Sequence, residues 1–336
     1  MRVGITCDLQ AEYLAQGFSE EDAAEFDSEV TIAGIERALR GFGFRTERIG
    51  TVKALARRLA AGKRWDLVFN IAEGVSGFGR EAQVPALLEA YNIPYTFSDA
   101  LVCALSLHKG MAKRVVRDAG VATPDFALVE DLADIAQIAL PFPLFAKPVA
   151  EGTSKGIGSA SIIEDRSELY RVCDRLLGRF TQPVLVETYL PGREFTVGII
   201  GGGRTAECIG VMEVHLGAEA EPGLYSYENK KHDEWTSYHL VDDPAALATG
   251  EVALAAWRAI GGRDAGRVDI RLDAQGRPNF IEVNALPGIN PERSDLVICA
   301  RQAGISYPAL LRRILGHTFE RYGLLWPDQE VRRKVA

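Results

Sequence analysis

The sequence predicts an α/β fold that passes to α+β in its second half, divided into two or three domains. Strand and helix signals alternate over about the first hundred residues, the pattern of a parallel sheet. From Glu194 onward strand signals follow one another with few helices between them. The length, 336 residues, is more than a single hydrophobic core usually organises.

Taken in order, Arg2 to Cys7 is a short apolar strand. Val30 to Arg40 repeats its apolar residues at helical spacing and ends before Gly41 and Gly43. Arg45 to Ile49 reads as a second strand, Val52 to Ala61 as a helix and Asp66 to Ile71 as a buried strand. Gln83 to Tyr91 is a helix and Pro94-Tyr95-Thr96 a short strand. In such a βαβ series, ligands gather at the strand C-termini. Lys109 to Gly120 is a helix closed by its glycine. Phe126 to Val129 and Pro143 to Pro148 read as strands flanking a short helix. Arg166 to Phe180 is a helix, and Pro183 to Glu187 a strand that runs into Tyr189-Leu190. Gly198 to Gly203 lacks dinucleotide-fingerprint spacing and precedes no helix, so it reads as a hairpin turn. The polar stretch Glu219 to Tyr238 reads as a mobile loop. Glu251 to Ile260 is a helix, and Tyr307 to Tyr322 closes the chain with Leu310, Leu311, Ile314, Leu315 and Phe319 on one apolar side.

Composition narrows the function. The chain is 47% hydrophobic and 25% charged, ordinary for a globular protein. A net charge of −8 argues against general nucleic-acid binding. No apolar run approaches the length of a membrane span, and Met1 to Ile5 begins a strand rather than a signal peptide. The five cysteines are scattered and form no Cys-x-x-Cys, which points to a reduced, cytoplasmic protein without structural zinc. Each reads as a small core residue.

The strongest chemical signal lies near the C-terminus. Asp269, Glu282 and Asn284 are hard oxygen ligands on two expected strands joined by the turn Asp273-Ala274-Gln275-Gly276. Glu282 and Asn284 are two apart and share one strand face. Arg267 shares the face of Asp269. Such oxygens suit Mg²⁺, which borrows further ligands from phosphates, so the pattern reads as a site for a highly charged anion such as ATP. Upstream, Lys147-Pro148 ends an apolar strand and precedes Glu151-Gly152-Thr153-Ser154-Lys155-Gly156-Ile157-Gly158. Glycines and hydroxyls there allow backbone N–H groups to wrap a phosphate, although a surface turn would read the same. The loop lacks the Gly-Lys-Ser/Thr ending of a Walker A motif. On residue type alone Lys109 reads first as a solvated helix lysine and only second as a phosphate contact.

Together these residues resemble the ATP-grasp superfamily, and within it the D-alanine–D-alanine ligases, over nearly the whole chain. The matching pieces include Ser28-Glu29-Val30-Thr31, Lys109 with Lys113, Lys147-Pro148, the 151–157 loop, and Val186 to Val197. They continue with Tyr225 to Lys230, Arg267-Val268-Asp269 and Glu282 to Gly288. The resemblance implies a Rossmann-like N-terminal domain over 1–103 and a small central α+β domain over 104–192. A C-terminal domain built on an antiparallel sheet covers 193–325, and a tail 326–336. It implies an ATP-dependent carboxylate–amine ligase that works through an acylphosphate, a place in peptidoglycan precursor synthesis, and a homodimer. Asp269, Glu282 and Asn284 then hold two Mg²⁺ ions, with Mn²⁺ as a substitute. Lys109 and Lys147 contact phosphate, with Thr153 and Ser154 in the loop over the γ-phosphate. Glu187, Tyr189 and Leu190 line the adenine pocket, Glu194 contacts ribose, and Lys230 closes over the nucleotide. Arg267 and the Gly288 N–H stabilise the oxyanion, Glu29 receives the first substrate's ammonium, and Ser294 contacts the second substrate's carboxylate.

The chain departs from the pattern around the first substrate. Where the ligases carry His-Gly and then Gly-Glu-Asp-Gly, this chain has Asn70-Ile71-Ala72-Glu73-Gly74-Val75-Ser76-Gly77-Phe78-Gly79-Arg80-Glu81. Glu73 takes the histidine position, and Arg80-Glu81 lies just beyond the acidic pair's place. Glu73 also reads as a cap or an ion-paired residue. Lys231 replaces a tyrosine, and one extra residue before Ser294 makes Arg293 a rival for the carboxylate. These changes touch substrate choice rather than ATP handling, so a ligase for another acid–amine pair stays open. A nucleotide-binding protein without turnover would favour a lost metal ligand, and none is lost. A nicotinamide-dependent oxidoreductase would need Gly-x-Gly-x-x-Gly after the first strand, where Cys7-Asp8-Leu9-Gln10 stands.

Overall fold

The computed structural model describes residues 1–221, 226–232, 235–327 and 329. The N-terminal lobe runs β1 (Arg2–Thr6), α1 (Gln10–Ala15), α2 (Glu29–Gly41), β2 (Arg45–Gly50), α3 (Val52–Ala60), β3 (Leu67–Asn70) and α4 (Gln83–Ala90). Its strands form a parallel sheet in the order β2-β1-β3. Pro94 to Thr96 is not a full strand: Tyr95 makes only an isolated parallel bridge to Val68. One sheet face packs with α2 and the closing helix Tyr307–Tyr322, the other with α3 and α4 through Leu55, Leu59, Trp65 and Leu88.

Next come α5 (Ala100–Leu107), α6 (Lys109–Asp118), β4 (Phe126–Val129), β5 (Leu144–Pro148), β6 (Ile162–Ile163), α7 (Arg166–Phe180) and β7 (Val184–Thr188). The expected 103/104 division falls inside α5. The antiparallel sheet β4-β7-β5-β6 carries α7 on one face, with Leu169, Val172 and Leu176 over Leu144, Ala146 and Val186. Asp165 caps α7 by accepting from the Glu168 N–H.

The remaining chain gives β8 (Glu194–Ile200), β9 (Glu207–Leu216), α8 (Tyr227–Lys231), β10 (Thr236–Leu240), α9 (Pro244–Ile260), β11 (Ala265–Leu272), β12 (Pro278–Asn284), α10 (Asp295–Gln302) and α11 (Tyr307–Tyr322). Its antiparallel sheet has the order β10-β9-β8-β11-β12. Of the hairpin turn expected at Gly198 to Gly203, Gly201 to Gly203 lie in the connection from β8 to β9, while Gly198 to Ile200 are paired as the end of β8. The stretch read as a mobile loop holds α8 and the edge strand β10 in its described part. The helix expected from Glu251 begins seven residues earlier, at Pro244, because Asp243 caps it and proline is favoured in a first turn. Trp326, expected in a tail, packs on Phe42, Phe44 and Phe319; residues 330–336 lie outside the described residues.

The N- and C-terminal lobes share a core, in which Ile5, Ile35 and Leu39 meet Leu286, Leu296, Leu311 and Ile314. Asp264 fastens the same junction. Its carboxylate accepts from the Phe97 N–H at 2.8 Å, from Thr318 Oγ1 at 2.7 Å and from Arg321 Nη2 at 2.5 Å. Asp264→Ala would leave the Arg321 guanidinium and a buried N–H without that partner. The expected cost is about 3 kcal/mol, read as a lowered thermal midpoint. An unchanged midpoint would show that the junction rests on the apolar core alone.

Candidate functional site

The β11–β12 hairpin builds the centre of the site. Along β11, Arg267, Asp269 and Arg271 alternate with the fully buried side of the strand, so the three share the open face. Asp269 pairs with Glu282 and Arg267 with Asn284, which brings the three oxygen-bearing residues onto that face. Thr196 Oγ1 on β8 donates to Asp269 at 3.0 Å. Arg267 lies 2.7 Å from Asp269 and 3.3 Å from Asp295 at the start of α10. Lys109, at the start of α6, reaches within 3.5 Å of Glu282. Cation and carboxylate thus alternate, which holds both kinds of charge in place for a polyanion.

Beside this face a narrow cleft of about 80 Å³ opens between the central and C-terminal sheets. Lys147, Glu187, Tyr189, Leu190 and Glu194 line it, with Ser154, Asp269 and Glu282. Phe145, Ile157 and Ile281 supply apolar walls. Glu187 lies between two buried ammonium groups, 2.8 Å from Lys113 and 3.1 Å from Lys147. Burial alone would raise the Glu187 carboxyl, but the charges of Lys113 and Lys147 outweigh it and hold the group below its usual range. Glu194 is paired with Arg271 at 3.0 Å, and that guanidinium lies over the Tyr189 ring.

On the other side of Glu282 a larger cavity of about 510 Å³ lies between the N- and C-terminal lobes. Glu282 borders both spaces. Arg267, Asn284, Gly288, Arg293 and Ser294 form its C-terminal wall. Ser294 Oγ accepts from the Asn290 N–H at 2.8 Å. Asn290 in turn donates to Thr31 at 3.0 Å, which ties this wall to α2. Lys109, Glu151, Gly152 and Thr153 form the roof, with Lys109 Nζ donating to the Glu151 carbonyl at 2.5 Å. Thr153 and Ser154 hold φ of 49° and 56°, two successive left-handed positions that turn the loop sharply.

Three expectations are corrected or fall outside the described residues. Glu29 does not face the cavity. It is the first residue of α2, exposed, and pairs with Arg48 at 2.7 Å. The carboxylate that does face it is Asp27, two residues earlier. Arg80 is not a lining residue either. It is buried, 3.2 Å from Glu25, and donates to the Ala150 carbonyl at 2.9 Å. Its neighbour Glu81 faces the cavity instead, together with Glu73. The backbone of Lys230 is part of α8, but its side chain lies outside the described residues.

The sequence reading missed Glu25, Asp27 and Glu81. Glu25 accepts from the Gly152 N–H at 2.6 Å and lies 3.2 Å from Lys155, so it ties the 151–155 loop to the N-terminal lobe. Helical phase was the available signal. Thr31, Ile32, Ile35 and Leu39 mark the buried face of α2, and Glu29 does not share it. Gly74, with φ of 74°, lets the 73–81 segment fold back. A Cβ there would stand 2.6 Å from the Arg80 carbonyl oxygen.

A family model for the C-terminal part of D-ala D-ala ligases matches residues 115–316. A D-alanine–D-alanine ligase of Bordetella avium is 34% identical, over 84% of this chain and 87% of that one. An uncharacterized protein of Sinorhizobium fredii, y4sG, is also 34% identical, over 76% of this chain and 75% of its own. Among solved structures, a Bacillus anthracis D-alanine–D-alanine ligase complexed with ATP superposes with a TM-score of 0.70. It is 22% identical and covers 95% of this chain and 98% of its own.

Proposed function

Because the chain belongs to the D-alanine–D-alanine ligase family of ATP-grasp enzymes, we propose that it joins the carboxylate of one amino acid to the amine of another through an acylphosphate. The observation that carries the reading is the hairpin face itself, where Glu282 borders both the nucleotide cleft and the larger cavity. A γ-phosphoryl group leaving the cleft meets an acid held in the cavity at that point.

The donors Asp269, Glu282 and Asn284 are two carboxylates and an amide on one strand face, a hard set that fits Mg²⁺. When bound, two such ions, or Mn²⁺, neutralise phosphate charge and polarise the transferred phosphoryl group. The chain's own residues divide the remaining work. Lys109 and Lys147 hold phosphate oxygens, while Glu187, Tyr189, Leu190 and Glu194 receive the nucleoside. Asp27, in place of Glu29, accepts the first substrate's ammonium. Arg267 and the Gly288 N–H stabilise the oxyanion that forms as the amine attacks the acylphosphate. Ser294 or Arg293 takes the second substrate's carboxylate. The 151–155 loop with Thr153 and Ser154, and the α8 region with Lys230, shut out water that would hydrolyse the acylphosphate.

The test is ADP release with Mg²⁺ and ATP across amino acids of both hands, singly and in pairs, with mass spectrometry of the products. The expected result is ADP release that requires acid and amine together, with a dipeptide mass. ATP binding without such release would overturn the reading. D-alanyl-D-alanine as product would place the enzyme in peptidoglycan precursor synthesis. A second pair is favoured by Glu73 and Glu81, which face the cavity as two further carboxyls. No helix among the described residues is long and apolar enough to cross a membrane. The proposed setting is the cytoplasm, and the proposed assembly a homodimer on family resemblance.

A further inference from the structure

We infer that the amino acid bound against the N-terminal wall of the larger cavity carries a second cationic group besides its α-ammonium. The substrate class is a basic amino acid. The inference rests on the ligase reading above and adds to it the identity of one substrate.

The cavity is unevenly charged. Its C-terminal wall presents Arg267 and Arg293 together with Glu282 and Asp295, whereas its N-terminal wall, which has no lysine or arginine among the described residues, adds to Glu20 and Glu25 the carboxyls of Asp27, Glu73 and Glu81. These three carboxyls come from separate places in the lobe: the segment before α2, the turn after β3 and the segment before α4. The cations nearest to them are already engaged. Arg80 lies 3.2 Å from Glu25, and Lys155 lies 3.2 Å from Glu25 and 2.5 Å from Glu151. Lys109 lies 3.5 Å from Glu282. Glu73 and Glu81 have no hydrogen bond or ion pair among the described residues, and both are half-buried where they line the cavity.

Carboxyl groups gathered in this way are costly unless a cation joins them. Burial and the nearby charges of Glu81, Glu25 and Asp27 push Glu73 well above its usual range, against a smaller opposing pull from Arg80. Burial pushes Glu81 to about 7 despite Arg80 and Lys109, and Asp27 to about 7 despite its hydrogen bond with Thr31. A single α-ammonium at Asp27 leaves the Glu73 and Glu81 pair without a counter-ion. An ammonium or guanidinium on a flexible stem satisfies the pair, while the substrate's own carboxylate turns toward Arg267.

The experiment compares lysine, ornithine and arginine, of both hands, with the neutral isosteres norleucine and norvaline and with D-alanine. It uses the full chain and reads ADP release and product mass. The same amino acids are titrated calorimetrically. The expected result is a kcat/KM at least about tenfold higher for a basic amino acid than for its isostere, the size of a charged hydrogen bond. Glu73→Gln and Glu81→Gln should each shrink that preference, mainly through KM. ADP release with D-alanine or an isostere at equal or greater kcat/KM would overturn the inference and leave the ligase reading standing. Lysine-selective binding without turnover would overturn the ligase reading and support the basic ligand. Equal binding of lysine and norleucine, or Mg²⁺ alone displacing lysine from the wild type, would overturn the basic ligand. The isostere comparison needs no variant and survives if a variant fails to fold.

Discussion

Glu282→Gln is expected to lower kcat by about 10²–10³-fold while leaving the thermal midpoint close to that of the wild type. The substitution keeps the shape of the side chain and removes its charge. Glu282 sits on the open face of β12, opposite Asp269, with its side chain 21% exposed, so the amide stays hydrated and the hairpin register does not depend on it. What is lost is an anionic oxygen at the boundary of cleft and cavity, where the proposed phosphoryl transfer would bring metal and lysine together. Lys109 loses its 3.5 Å partner in the same step. The experiment pairs turnover with thermal unfolding and nucleotide binding. A folded Glu282→Gln protein with wild-type turnover would remove the metal assignment.

Much of the site was legible because its chemistry is local in sequence. Asp269, Glu282 and Asn284 announce themselves by a strand period and a turn, and the register places them together as that period requires. The strands that carry Lys147 and Glu187 are likewise short apolar runs with one charged residue each. The illegible part is long-range. Nothing local states that Glu25 reaches the Gly152 N–H across 127 positions, or that Arg80 turns inward to Glu25 while Glu81 turns to the cavity. In each case the choice between adjacent charged residues depends on which one finds a partner in another lobe. Asp27 and Glu29 show the same competition: Arg48 on β2 draws Glu29 outward, and Asp27 is left facing the cavity. Pro244 is a different case, since the Asp243-Pro244 start was visible and helical phase alone placed the boundary too late.

The largest expected loss of stability follows Glu187→Gln. Lys113 and Lys147 are both almost wholly buried, and Glu187 is the anion between them at 2.8 and 3.1 Å. Without its charge, two ammonium groups share one dry pocket, and the expected cost is about 3–5 kcal/mol. Lys113 reports the strain even in the wild type: burial, reinforced by the Lys147 charge, lowers it to about 8 although Glu187 opposes the shift. The pH dependence follows from the signs. Glu187 has a lowered folded value, so its contribution is present above the ordinary carboxylate range and is lost as pH falls through that folded value. Lys147 is raised, so its contribution is present below the usual lysine range and is lost as pH rises through its folded value. Lys113 is lowered, so the folded state sheds its proton first and stability from this group rises between about 8 and 10.5. The difference between Glu187→Gln and wild type should therefore be greatest near neutral pH. It should shrink in acid, where the wild type also loses the Glu187 charge, and in alkali, where the variant's lysines become neutral. Denaturant unfolding across pH measures this directly, and a flat difference would show that the pair is hydrated rather than dry. Replacing Lys113 by Met in the Glu187→Gln background should recover part of the loss, because it removes one of the two unpaired cations. Nucleotide KM should not recover, because Lys147 still lacks the carboxylate that holds it toward the cleft.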